Sequence, residues 1–149
     1  MTTSPVKPDG SFSDVMAGLS ASNMSAEPAA SVLNSFKLQL NQGNTKLGWL
    51  AVTRDWAFLT ADPAQAVDLE KVLGDGGVYY KMQGHSRYLS VSDTGALGFY
   101  LWNGRTTFKT EGSHLVSNHN GQKLSQYSTS DTYLYARDDY TVLDVSEVA

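Results

Sequence analysis

The chain of 149 residues is predicted to be an all-β protein, because one pattern of short strands and tight turns occurs three times along it. In the second copy the pattern reads Val78-Tyr-Tyr-Lys-Met82, a turn of five residues, and then Tyr88-Leu-Ser-Val-Ser92. Gly84 lies in that turn, where the freedom of glycine to adopt positive φ suits a tight hairpin. The copies start at residues 36, 78 and 113, and they predict twelve strands in all.

Four strand-forming segments occur in each copy, and they align between the copies. Leucines coincide in the second strand and aromatic residues in the third; recurrence at one position is typical of a core layer, so we expect the aromatic residues to pack in the cap. These residues are Leu47, Leu89 and Leu124 in the second strand, and Phe58, Tyr100 and Tyr135 in the third. The predicted strands are 36–40, one from Lys46, 56–60 and 67–72; 78–82, one from Tyr88, 98–102 and 106–111; and 113–117, one from Lys123, 133–137 and 141–145.

Three pairs of hairpins can close into a barrel with a hairpin cap, whereas one pair cannot bury its apolar face alone. Residues 36–148 therefore resemble a single β-trefoil domain with repeats of about 36–77, 78–112 and 113–148. The stretch Gly84-His-Ser-Arg-Tyr-Leu-Ser-Val-Ser92, followed by Phe108, is similar to the repeat of the fascin and hisactophilin type. The Gln-x-Trp of ricin-type lectin repeats is absent, and three histidines are few beside the His-rich hisactophilins.

Residues 1–35 form a leader rich in Ser, Ala and Pro, whose first ten residues have no periodicity and are expected to be disordered. Within it, Phe12, Val15, Met16 and Leu19 fall on one helical face and predict a short amphipathic helix at 11–20. Three interpretations remain open: the helix packs on the domain that follows, it docks a partner, or the whole leader is disordered.

Composition limits the classes of function. A net charge of -4 with scattered basic residues argues against nucleic acid as a partner, since phosphate binding needs clustered Lys and Arg. The absence of cysteine excludes disulfides and thiolate chemistry. No stretch approaches the roughly 18 apolar residues of a membrane span, and the N-terminus lacks an apolar signal-peptide core. We therefore expect a cytoplasmic monomer or weak oligomer without a cofactor, with export by another route left open.

Motifs for catalysis are missing from the sequence: it contains no nucleophile elbow, no zinc-protease helix motif and no phosphate-binding loop. His85, His114 and His119 are the candidates for a base near neutral pH, and two of them fall in exposed turns. Asp131 with Asp138-Asp139 lacks the spacing of a calcium loop, and an aspartate in a turn usually binds its own backbone. We expect neither an enzyme nor a metal site.

Trp102 is the aromatic residue that internal symmetry does not explain, because its equivalents in the other copies are Thr60 and Arg137. It precedes the turn Asn103-Gly104-Arg105, and Asp93 lies in the preceding turn. An aromatic ring beside amide, guanidinium and carboxylate groups suits a sugar, because the ring stacks on the sugar face and the polar groups bind hydroxyls. The alternative is that Trp102 covers the edge of the barrel.

The sequence thus favours a non-catalytic binding module, with a lectin-like carbohydrate site at Trp102, Asn103, Arg105 and Asp93 as the first hypothesis. Trp56 beside Asp55 is a weaker version of the same site. The alternatives are a protein-binding module, such as a protease inhibitor or a toxin or adaptor component acting through the 62–66 loop, and a fascin-like actin-binding protein. An acidic chain is poorly suited to acidic actin filaments.

Overall fold

The computed structural model describes residues 35–74, 76–102, 106–128 and 130–149, so the predicted leader with its helix at 11–20 lies outside the described residues. The described chain forms thirteen β-strands and one short 3₁₀ helix, Pro63–Gln65, which confirms the all-β prediction. The strands are β1 (Lys37–Gln42), β2 (Thr45–Thr53), β3 (Trp56–Thr60), β4 (Leu69–Gly74), β5 (Gly77–Met82), β6 (Tyr88–Val91), β7 (Leu97–Tyr100), β8 (Phe108–Glu111), β9 (His114–Ser117), β10 (Leu124–Ser128), β11 (Asp131–Ala136), β12 (Thr141–Val142) and β13 (Asp144–Val148).

Every strand predicted from the repeats is present, although most of their ends differ by one or two residues. Two differences bear on the site and on the last strand. Strand β7 ends at Tyr100, so Leu101 and Trp102 lie beyond the strand that was predicted to contain them. The last predicted strand is divided into β12 and β13, because Leu143 leaves the ladder and donates its backbone N–H to Leu124 O at 3.0 Å. The turn glycines have the positive φ expected of them, at Gly43, Gly84 and Gly121.

The third strands of the copies meet one another at the centre of the sheet. Each pairs with the second strand of its own copy, as β2–β3, β6–β7 and β10–β11. Between copies, Trp56 pairs with Gly98 and Tyr133 with Phe58, while Ala96 forms an isolated bridge with Tyr135. Strands β3, β7 and β11 therefore contact each other pairwise.

The first and fourth strands carry the connections between copies. Three antiparallel ladders join them, β4–β5, β8–β9 and β1–β13. Further backbone contacts link the two outer strands of each copy: Phe36 N donates to Leu69 O at 3.0 Å, Val78 pairs with Phe108, and Val145 N donates to Ser113 O at 2.8 Å. All pairings of strands in the described chain are antiparallel.

The main core lies between these outer strands and the hairpins. Within the third strand of each copy, the equivalent position that is buried in all three copies is that of Ala57, Phe99 and Leu134. Side chains alternate along a strand, so the next residue points to the other face. Leu89 and Leu124 are in the main core and Leu47 packs against it, so the leucines aligned between the copies all contact the core.

A second apolar cluster covers one end of the sheet and borders the candidate site. Its members are aromatic apart from one alanine: Trp56, Ala96, Tyr100, Tyr135 and Tyr140, with Tyr127 and Tyr133 packed against them. The predicted burial is thus confirmed for Tyr100 and Tyr135, whereas Phe58 is only half-buried and lies outside this cluster. Burial, together with the hydrogen bond to Asp131, raises the pKa of Tyr135 far above its ordinary value.

Candidate functional site

A polar cleft of about 470 Å³ lies where the second and third copies meet. Three turns form it: the turn between β6 and β7, the turn between β9 and β10, and the turn between β11 and β12. Its lining is Asp93, Thr94 and Gly95 from the first turn, Asn120 and Gln122 from the second, and Arg137, Asp138 and Asp139 from the third. The site is therefore made by segments that are distant in sequence.

The β6–β7 turn is fixed by hydrogen bonds from Ser92. Its hydroxyl accepts from Ala96 N at 3.1 Å and lies 3.1 Å from the Thr94 hydroxyl, and its carbonyl accepts from Gly95 N at 3.0 Å. Gly95 has a φ of 87°, and a Cβ at this position would come within 2.8 Å of Arg137 Cδ. Glycine is thus required both by the turn and by the close approach of Arg137, and Asp93 is left exposed beside it.

The β9–β10 turn presents amide groups that are already oriented. Asn120 donates its Nδ2 to Ala136 O at 3.0 Å and accepts from Gln122 N at 3.0 Å. Gln122 accepts from Asp138 N through Oε1 at 3.0 Å, so its NH₂ group is the part that can serve a ligand. These bonds connect the second turn to the third and hold the floor of the cleft in one geometry.

Arg137 is held between its neighbours in the third turn. Nε and Nη2 donate to the two carboxylate oxygens of Asp139 at 3.0 and 2.8 Å, and the guanidinium lies 4.7 Å from the centre of the Tyr140 ring. The hydrogen bond from Arg137 lowers the pKa of Asp139, and the same bond raises the pKa of Arg137. Nη1 also donates to Thr94 O at 3.5 Å, so two of the five guanidinium N–H groups of Arg137 remain for a ligand.

A second cleft of about 400 Å³ is lined by Tyr127, Ser128, Asp139, Tyr140 and Thr141. Asp139 is common to the two clefts, while Arg137 lines only the first and Tyr140 only the second. The stacked pair of Arg137 and Tyr140 therefore stands between them. Together the clefts offer carboxylates, amides, a guanidinium and an aromatic surface within one region of the protein.

Of the predicted site residues, Asp93 lies in the first cleft and Trp102 lies elsewhere. The β6–β7 ladder runs from the pair Val91–Leu97 near Asp93 to the pair Tyr88–Tyr100 near Trp102. At about 3.4 Å per residue, the ladder separates the two ends by roughly 10 Å. Trp102 is half-buried and packs edge-on against Tyr79 and Tyr88, with ring centres 4.9 and 5.0 Å away.

Two of the remaining predicted residues, Asp55 and Trp56, do not line the cleft. Trp56 is buried in the aromatic cluster, with 5% of its surface exposed, and Asp55 forms an ion pair with Arg87 at 3.4 Å. Asn103 and Arg105 lie outside the described residues. The binding roles of these six residues stay predictions, and Asp93 is the one that the structure brings beside other polar groups of a cleft.

Sequence reasoning did not identify Asn120, Gln122 or Arg137, and it considered Asp138 and Asp139 only as a cation site. The signal that could have found them is the comparison of equivalent turns. Arg137 is the third-copy equivalent of Trp102, so the same position had already been singled out in the second copy. The sequence did not show that the turns of neighbouring copies face each other, and the cleft depends on that arrangement.

A further polar cluster consists of Ser113, His114 and Asp144, residue types that also occur in hydrolase triads. Ser113 Oγ donates to Asp144 Oδ1, and His114 Nε2 lies 3.2 Å from the same oxygen. The Ser113 hydroxyl, with Gly43 N and His114, lowers the pKa of Asp144. Because the serine donates to the aspartate and not to the histidine, its hydroxyl is not activated as a nucleophile.

Comparison with known proteins identifies no family: no family model matches the chain, and no curated protein matches it. Within the described residues, no group of three or more His, Asp or Glu side chains is arranged to hold a metal ion. In the same part of the chain, no helix has the length and apolar character needed to cross a membrane. Function therefore has to be inferred from the geometry of the clefts.

Proposed function

We propose that the three copies adopt a β-trefoil arrangement, in which six strands close a barrel and three hairpins cap it. The proposal is supported by the order of neighbours β1, β4, β5, β8, β9 and β13. Each strand in this order contacts the next through a ladder or backbone hydrogen bond, and β13 pairs with β1. An experimental structure in which β1 and β13 are unpaired would overturn it.

We also propose that the protein is a non-catalytic, lectin-like module that binds carbohydrate in the cleft between the second and third copies. The observation that carries this proposal is the lining of that cleft, where both donors and acceptors surround a space of about 470 Å³. A sugar hydroxyl both donates and accepts, so it needs carboxylates and amide or guanidinium N–H groups together. Asp93, Gln122 and Arg137 supply them from three separate turns.

The magnitudes suit reversible binding of a sugar. A hydrogen bond to a charged group contributes about 1.5–3 kcal/mol, and a neutral one about 0.5–1.5 kcal/mol. Three or four such bonds, reduced by the cost of ordering the ligand, correspond to affinities between about millimolar and micromolar. The turns are fixed by their own hydrogen bonds before a ligand arrives, which lowers that cost.

The test is a glycan array with the full-length protein, the Asp93→Ala variant and a matched control, Glu111→Ala. Both residues are surface carboxylates, but Glu111 is on β8 and pairs with Lys109. We expect the wild type to bind one class of glycan, Asp93→Ala to weaken that binding at least tenfold, and Glu111→Ala to leave it unchanged. An array on which the wild type binds nothing would overturn the proposal.

A third variant, Trp102→Ala, separates the cleft from the site that the sequence predicted. If the cleft is the site, this variant binds glycan as the wild type does, measured well below its unfolding temperature. Loss of binding in Trp102→Ala with retention in Asp93→Ala would assign binding to the aromatic surface of Tyr79, Tyr88 and Trp102.

A second candidate function is recognition of a protein through the 62–66 segment. Asp62, Pro63, Ala64 and Gln65 are exposed, yet their backbone is fixed, because Asp62 accepts from Ala64 N at 2.9 Å and Thr60 Oγ1 donates to Gln65 Oε1 at 2.9 Å. A rigid exposed turn binds a partner with little ordering cost. An Ala64→Arg variant would then lose a protein partner while keeping any glycan binding.

A further inference from the structure

Among the described residues, those that line the first cleft have hydrogen-bonding groups, and none of them is aromatic. Carbohydrate sites use both kinds of contact, because a sugar ring has hydroxyls at its edge and an apolar face that packs on an aromatic ring. The nearest aromatic lining belongs to the second cleft, on the other side of Asp139, where Tyr127 and Tyr140 are found. A ligand that uses both kinds of contact must therefore extend past Asp139.

Of these two tyrosines, Tyr127 is the one that can accept a ligand. Tyr140 is only 8% exposed, since the Arg137 guanidinium covers it at 4.7 Å and the Tyr127 and Tyr135 rings contact it at 5.1 and 5.3 Å. Tyr127 is half-buried, so part of its ring remains accessible in the second cleft. Thr141 is exposed beside it, which leaves that cleft open to solvent.

Building on the proposed function, we propose that the ligand is a neutral linear glycan of at least two sugar units that lies across Asp139. One unit places its hydroxyls against Asp93, Gln122 and Arg137, and the next packs on Tyr127. The first cleft is lined by three carboxylates, Asp93, Asp138 and Asp139, and by the cation Arg137. Lys123 lies 3.9 Å from Asp138 outside the lining, so one negative charge is left in excess and a glycan bearing carboxylate or sulfate is repelled.

The test is the affinity of the full-length protein for a series from monosaccharide to tetrasaccharide of the class found on the array, measured by calorimetry. We expect at least a tenfold gain from monosaccharide to disaccharide, and weaker binding of a sialylated version of the same glycan. Tyr127→Ala removes the gain and keeps monosaccharide binding. Tyr133→Ala is the matched control, because Tyr133 is also a half-buried tyrosine of the aromatic cluster but lines neither cleft.

A second variant keeps the test valid if Tyr127→Ala does not fold. Thr141 is exposed, so Thr141→Arg fills the second cleft without disturbing buried residues, and it removes the gain with chain length as well. Equal affinities for the monosaccharide and the longer glycans overturn the linear-glycan inference and leave the proposed function standing. Absence of any glycan binding overturns the proposed function itself.

Discussion

Two junctions between copies are built from equivalent turns but differ in what occupies them. Residues 35 positions apart are equivalent in the second and third copies, so Arg87 corresponds to Gln122 and Trp102 to Arg137. At the junction of the first and second copies, Arg87 pairs with Asp55 at 3.4 Å, and Trp102 packs on two tyrosines. At the junction of the second and third copies a cleft of about 470 Å³ is open.

The difference shows that copies with the same arrangement of strands and turns can have different side-chain contacts at their junctions. At the first junction, Arg87 of the second copy forms an ion pair with Asp55 of the first copy. At the second, Gln122 binds its own copy through Asp138 N, and Arg137 binds Asp139 two residues away. Asp93 is left exposed across the cleft. Different side chains at equivalent positions thus give the two junctions different contacts. The first has an ion pair and aromatic packing, and the second has a polar cleft crossed by a bond of 3.5 Å from Arg137 Nη1 to Thr94 O.

The largest difference in unfolding free energy is expected between Ala variants at two equivalent positions, Trp102 and Arg137. Trp102→Ala should lower the free energy of unfolding by about 2–3 kcal/mol, less than for a fully buried tryptophan, because the ring is half-buried. Arg137→Ala should lower it by about 1 kcal/mol or less, since Arg137 is partly exposed and pairs at the surface. Urea unfolding of both variants measures the difference, and equal losses would contradict the contrast between the junctions.

The next largest difference in unfolding free energy is expected between Ala variants of two turn glycines, one at each junction. Gly95→Ala should cost about 2 kcal/mol, because the residue has positive φ and its new methyl group meets Arg137. Gly84→Ala should cost about 1 kcal/mol, since it has a φ of 78° but no atom within 4 Å of the added Cβ. Thermal or urea unfolding gives both values. Equal costs would mean that Arg137 does not pack against the turn.

A double-mutant cycle tests the ion pair at the junction of the first and second copies. Asp55→Ala and Arg87→Ala should show a coupling energy of about 0.2–1 kcal/mol, as expected for a partly exposed pair whose side chains are 29% and 33% accessible. A cycle at the second junction, Asp93→Ala with Gln122→Ala, is the control and should show none; Gln122 is the equivalent of Arg87, and Asp93 lies in the turn that corresponds to that of Asp55. A coupling of similar size in both cycles would remove the distinction.

The smallest expected effect is on the titration of Asp139. Arg137 lowers the pKa of Asp139 by donating hydrogen bonds to the carboxylate. The stability that this pair contributes is therefore present above about pH 3.9, the ordinary value for aspartate, and is lost as the pH falls through the lower folded pKa. In Arg137→Gln, carboxyl NMR should show the pKa of Asp139 rising toward its ordinary value.

Asp144 is the internal control for that titration. Its pKa is lowered mainly by the Ser113 hydroxyl, which does not involve Arg137, so Arg137→Gln should leave it unchanged. If the pKa of Asp139 in Arg137→Gln equals that in the wild type, the pairing seen in the third turn does not persist in solution.

Much of the fold was predictable because its determinants are local. Alternating apolar residues specify strands and turn glycines specify hairpins, and both signals recur in three copies. The end of β7 was predicted two residues too late, because the apolar character of Leu101 and Trp102 resembles a strand while Trp102 packs on Tyr79 and Tyr88 instead. In the third strand, the position buried in all three copies is one residue earlier than the predicted position of Phe58, Tyr100 and Tyr135. Neighbouring residues of this strand are also aromatic or apolar, so the sequence did not distinguish the two positions.

The sequence by itself determined the strands, their turns and the all-β class, because each depends on residues that are neighbours in the chain. It also singled out Asp93, which lines the cleft. Only the tertiary structure decided that Asp93, Gln122 and Arg137 share one cleft. It also decided that Arg87 and Trp102, the equivalents of Gln122 and Arg137, bind other side chains at the junction of the first and second copies. Those outcomes depend on contacts between turns from different copies. Arg87 forms an ion pair across its junction, whereas Arg137 binds Asp139 in its own turn and reaches across only through a long bond to Thr94 O.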